Sequence, residues 1–219
     1  MRMAEKEFLI GQQLRTPRAA AIAGMLFCVL LTVSELLVWT TIPVSAAPSE
    51  VINHSKAVSL ALNLLPFAGI AFLWFIAVIR DRLGALEDRF FTTIFLGSGL
   101  LYIAMIFTSA ALAGGLFRVL LIAPESLTQS GAYGLGRAQI YQTINVYGNK
   151  MAGVFMFSTS TILLRTVILP RWIALVGFAL GAVLLLSVGI VVWTSLVFPF
   201  WVFLISTAIL LDNPSSITT

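Results

Sequence analysis

The stretch LLRTVILPRWIALVGFALGAVLLL, residues 163–186, holds the corner that decides how this chain is built. Arg165 and Arg171 bracket a short turn closed by Pro170, and apolar sequence runs away from that turn in both directions. Proline has no backbone N–H to donate and disfavours helix in the residue before it. One helix is therefore expected to end near Thr166 and another to start near Pro170. Trp172 stands where an amphipathic indole anchors at lipid headgroups. Arg165, Arg171 and Trp172 together read as topology anchors, where two apolar helices meet at one basic face of a membrane.

The rest of the chain has the same character. Of its 219 residues 59% are hydrophobic and only 10% charged, with a mean hydropathy of +1.02. A small soluble core cannot hide that much apolar surface, so the solvent is lipid. Crossing about 30 Å of hydrocarbon takes roughly 20 apolar residues per helix, and a helix satisfies its own backbone groups. A single all-α, polytopic membrane domain is expected. The net charge of +4 and pI near 9.6 do not indicate nucleic acid, because the 13 Lys and Arg residues stand scattered at the ends of apolar runs. Cys28 is the one cysteine, which rules out an intrachain disulfide and a cysteine-built metal site. It reads as a small hydrophobe inside a helix.

Six spans are expected, at about residues 19–42, 57–79, 90–113, 145–165, 172–192 and 196–211. A polar leader, residues 1–18, precedes them and ends at Pro17, and a short tail, residues 212–219, follows. Val44-Ser45-Ala46 has the small-residue form of a signal-peptidase site, but the apolar run before it exceeds the roughly 7–15 residues of a signal h-region and is read as a true span. The segment RDRLGALEDR, residues 80–89, carries three arginines and is cytoplasmic under the positive-inside rule. On this map nine basic residues lie inside (Arg2, Lys6, Arg15, Arg18, Arg80, Arg82, Arg89, Arg165, Arg171) and four outside (Lys56, Arg118, Arg137, Lys150), the 13 in all. Both termini are then cytoplasmic, and the protein belongs in an inner membrane. The longest polar connection, residues 114–136, contains FRVLLIAP, read as a short interfacial helix, and GAYGLG, read as a flexible loop.

Glu35 is the one acidic residue deep in an apolar run, and an ionisable group at membrane depth costs several kcal/mol unless it is paired, protonated or wetted. Lys150 falls at a similar depth if the fourth helix is continuous, so an ion pair between the two is geometrically possible. Gln139, Gln142, Asn145 and Asn149 recur at steps of three and four, one helical stripe that must face protein or water. Glu35, Asn63, Asn145, Asn149 and Lys150 form the candidate polar site of the outer half. The competing reading is a structural clamp of interhelical hydrogen bonds, each worth roughly 0.6 kcal/mol. Gly177 and Gly181 form a GxxxG, echoed by Ala20 with Gly24 and by Gly148 with Ala152, all sites of close helix packing. His54, alone in an outside loop, excludes bis-histidine haem, histidine-rich metal sites and Ser-His or Cys-His proteolysis. No catalytic residue, cofactor or metal is expected.

The corner, a basic residue followed by Leu169-Pro170-Arg171-Trp172 and a glycine-containing span, resembles a large bacterial family of uncharacterised six-span integral membrane proteins. The opening Arg18-Ala-Ala-Ala-Ile-Ala-Gly24 is similar to theirs. The resemblance implies six helices and bacterial origin, and carries no activity. Two functions stay open. One is a non-enzymatic subunit or packing partner, its contacts being the lipid bilayer and other membrane subunits. The other is a small-solute or proton-coupled transporter with its site at Glu35 and Lys150.

Overall fold

The computed structural model describes residues 2–41, 48–83, 89–166, 169–187 and 192–211. Val44-Ser45-Ala46, the middle of the arginine-bearing connection and the tail lie outside them. Among the described residues every element is helical: α1 (Arg2–Thr41), α2 (Pro48–Asn53), α3 (Ser55–Leu83), α4 (Arg89–Ile122), α5 (Pro124–Gln129), α6 (Ala132–Tyr141), a π-helical segment (Gln142–Gly148), α7 (Asn149–Thr166), α8 (Arg171–Leu186), a 3-10 turn (Val192–Leu196) and α9 (Val197–Leu211). Four stretches are long and apolar enough to cross a membrane, Ala19–Thr40, Ser55–Arg80, Phe90–Ile122 and Thr194–Leu211, and Arg171–Leu186 is a shorter apolar helix.

The long helices close into a ring, because α1 packs on α3, α3 on α4, α4 on α7, α7 on α8, α8 on α9 and α9 back on α1. Chain neighbours are spatial neighbours, as short connections require. An aromatic hub fills the middle. Phe72 of α3 lies 4.6 Å from Phe27 of α1, 5.7 Å from Tyr102 of α4, 5.3 Å from Phe155 of α7 and 5.4 Å from Phe198 of α9, ring centre to ring centre. Most of these pairs meet tilted or edge to face, the arrangement the ring quadrupoles favour.

α7 buries several polar side chains, Asn149, Ser158, Thr159 and Ser160 among them. Its Ser158 and Thr159 hydroxyls donate to Phe155 O at 2.9 and 2.7 Å, and Thr161 donates to Phe157 O at 2.9 Å. Back-bonding to the preceding turn removes their need for water, so the helix can sit inside. It crosses α8 at glycines: a methyl group on Gly153 would stand 3.0 Å from the Gly181 carbonyl oxygen. A methyl on Gly177 would meet Ser160 and Trp201, and one on Gly24 would meet Ser206 of α9, beside the fully buried Ala20.

Several boundaries differ from expectation. The backbone of the leader is helical and continuous with the first apolar run, so Pro17 does not end it; an interior proline, through its lost hydrogen bond and the clash of its ring, costs about 3 kcal/mol, which a long helix absorbs. α4 runs on to Ile122, so residues 117–122 of FRVLLIAP continue that helix rather than forming a separate one. GAYGLG is not a loop. Gly131 takes a positive φ of 72° to turn the chain, and Ala132 then opens α6. Gly136 lets α6 press on α4, where a methyl would come within 2.9 Å of Leu116 Cδ1; packing overrides glycine's low helix propensity. The fourth helical stretch starts at Ala132, not near 145, and α8 stops at Leu186, not 192, where Ser187 turns extended (φ −62°, ψ 130°). At the corner itself α7 ends at Thr166, Pro170 is extended and Arg171 opens α8. The guanidinium of Arg165 lies 4.6 Å over the Phe91 ring, tying the end of α7 to the start of α4, while Trp172 is exposed.

Candidate functional site

On the side of the hub toward α2, α5 and α6 the ring opens into a cavity of about 490 Å³. From Phe27, α1 rises with Leu31, Ser34, Glu35, Val38 and Trp39 along this wall, the i, i+4, i+7 stripe of one helix face. α3 contributes Val58, Leu62 and Leu65, and α4 contributes Ile106, Ser109 and Ala110. Above, a small cluster of Val51, Val58, Leu120 and Leu127 binds the short helices α2 and α5 over the ring.

Glu35 is partly buried, and its Oε2 accepts a hydrogen bond of 3.0 Å from Ser195 Oγ in the 3-10 turn. The neighbouring Thr194 Oγ1 accepts one of 3.2 Å from Asn149 Nδ2, which also donates to Asn145 O at 3.0 Å. A polar strut thus runs from the π-helical segment through α7 to the turn before α9 and on to α1. Ser34 of α1 donates to Ala61 O at 2.9 Å, close to the turn that Pro66 deprives of a donor.

A fourth wall comes from α6 and the π-helical segment, through Arg137, Tyr141, Ile144 and Asn145. Arg137 lies 5.7 Å over the Tyr133 ring and donates to its hydroxyl at 3.5 Å. Arg137, Tyr141 and Asn145 follow one another at i+4 along this wall. The cavity is apolar over most of its wall, with one carboxylate, on α1, and one guanidinium, on α6.

The five residues expected to form one site divide. Glu35 and Asn145 line the cavity, and Asn149 lies behind it, 3% exposed, in the strut. Lys150 does not pair with Glu35. Its Nζ donates instead to Leu185 O at 2.7 Å and Ser187 O at 3.2 Å, meeting carbonyls that the end of α8 leaves without helical donors. Asn63 is exposed on α3, away from the cavity wall. Gln139 and Gln142 are exposed too, because a stripe drawn at 3.6 residues per turn does not stay on one face through a π-helical segment.

Ser195, Arg137, Tyr133 and Tyr141 were missed. The i+4 spacing that leads back from Asn145 to Tyr141 and Arg137 was the signal that could have found two of them. Nothing local to Ser195 points to Glu35, 160 positions away. Among the described residues no three His, Cys, Asp or Glu side chains gather as metal ligands, and the arrangement offers binding chemistry: one carboxylate, one guanidinium, an amide and aromatic rings around apolar space. Comparison with protein families, curated proteins and solved structures finds no match to this chain.

Proposed function

We propose that this chain is a six-span protein of a bacterial inner membrane, with both termini cytoplasmic, that holds a small amphipathic molecule in its outer-half cavity. The observation that carries this reading is the cavity, lined by Glu35 and Asn145 among apolar side chains. Its size falls within the roughly 300–1,000 Å³ of small-molecule sites, and its wall has the usual composition of such sites, apolar with a few convergent polar groups. An ionisable residue at membrane depth marks a functional site by default. The six-membered ring supports counting α7 and α8 as spans, although α8 at 16 residues reaches only about 24 Å. The excess of basic residues at the expected inner connections supports the orientation.

A second reading, a subunit of a larger assembly, draws on a shallow groove along α4 and α6 lined by Ala111, Gly115, Ala132 and Gly136. Small residues of this kind let another helix approach closely. Purification in mild detergent followed by native mass spectrometry separates the two. A small molecule retained on the chain, and lost when Ala110→Trp fills the cavity, supports the binding reading. Protein subunits that co-purify with the chain and with the Ala110→Trp variant alike, with no small molecule retained, would replace it by the second.

A further inference from the structure

The cavity carries a fixed acid near its floor, and that acid selects the ligand. Glu35 lies on α1 about two helical turns, on the order of 12 Å, beyond Phe27 of the aromatic hub. Its carboxylate is met by the Ser195 hydroxyl at 3.0 Å. Lys150, the cation at comparable depth, is committed to the carbonyls at the end of α8. In the same lining Leu31, Val38, Leu62 and Ile106 supply apolar wall, and Trp39 and Tyr141 add aromatic side chains, whose ring faces attract cations.

We propose that the cavity takes a lipophilic monovalent organic cation, an amine or quaternary ammonium on an apolar body, with its charge paired to Glu35. This rests on the binding reading above and adds the class of ligand. The positive charge of Arg137 lines the same cavity, held over the Tyr133 ring. Coulomb energy falls with separation, so a cation in contact with the Glu35 carboxylate is favoured over one placed beside Arg137.

The test compares three probes of one chain length, octyltrimethylammonium, octanol and octanesulfonate, titrated into the full chain in lipid nanodiscs and into empty nanodiscs. The cation should bind at least ten-fold tighter than octanol. Glu35→Gln, nearly isosteric, should abolish that preference while octanol binding stays unchanged, and Glu35→Asp should restore part of it; unchanged octanol binding certifies that each variant is folded. Octanol bound as tightly as the cation, or a preference that survives Glu35→Gln, overturns the cation assignment and leaves the cavity reading standing. Octanesulfonate bound tightest, and weakened by Arg137→Gln, overturns it in favour of an anionic ligand. No probe bound above empty nanodiscs overturns both.

Discussion

Alanine in place of Gly153 strains the tightest backbone approach in the ring. Its new methyl would stand 2.9 Å from Leu185 Cγ and 3.0 Å from the carbonyl oxygen of Gly181. Leu185 can turn aside, but a backbone oxygen in the middle of α8 cannot, so α7 and α8 must separate by a few tenths of an ångström. Overpacking of this kind costs about 1–3 kcal/mol. Alanine's advantage over glycine in a helix returns about 0.5–1 kcal/mol. The net expectation is a loss of about 1 kcal/mol, which for a chain of this length lowers the melting temperature by roughly 2–4 °C. Gly97→Ala is the control, because a methyl there meets nothing within 4 Å and only the helical gain remains. Both variants would be purified in one detergent and melted side by side. A Gly153→Ala protein as stable as the Gly97→Ala protein would refute the close crossing of α7 on α8.

Phe72→Ala removes the ring that touches four other helices at the hub, and a loss of about 3–5 kcal/mol is expected, read as aggregation or a collapsed melting transition in detergent. Lys150→Met strips the donors from Leu185 O and Ser187 O and should cost about 1–3 kcal/mol in thermal stability, with Lys150→Arg closer to wild type. Asn149→Leu breaks the strut between the π-helical segment and Thr194; hydrogen exchange should rise at residues 194–196, ahead of any global unfolding. Single cysteines at residues 84–86 in a Cys28→Ala background should react with impermeant maleimide only from the cytoplasmic side, and labelling of intact cells would reverse the assigned orientation.

The apolar runs and the proline-bounded corner made the helical class legible, since run length against bilayer thickness needs no tertiary information. Helix ends were less legible. Glycine and proline argued locally for breaks at Pro17 and at residues 131–136, and packing of α6 on α4 overrode the glycines of the second. Glu35 stood out because a charge in an apolar run is costly wherever the helix is placed. What it faces depends on how six helices cross. Lys150 was equally conspicuous, and a pair with Glu35 was geometrically possible because depth along the membrane normal can be counted from sequence; that it reaches the end of α8 instead was not legible, since rotation about a helix axis is lost once a π turn intervenes. The aromatic hub was invisible for a related reason: Phe27, Phe72, Phe155 and Phe198 are ordinary core residues on their own helices, and only the ring's closure assembles them.

That closure sets an order of events at the ribosome. Synthesis runs from the N-terminus, so α1 and α3 exist while the partner of Gly24, Ser206 on α9, has yet to be made. Until α9 is made the ring of helices is an open arc, and Glu35 lacks its Ser195 partner. α9 and the turn ahead of it then do two things at once: they shut the arc and bring the Ser195 hydroxyl to the carboxylate. A nascent chain stalled before residue 192 therefore carries a groove where the closed ring has a chamber.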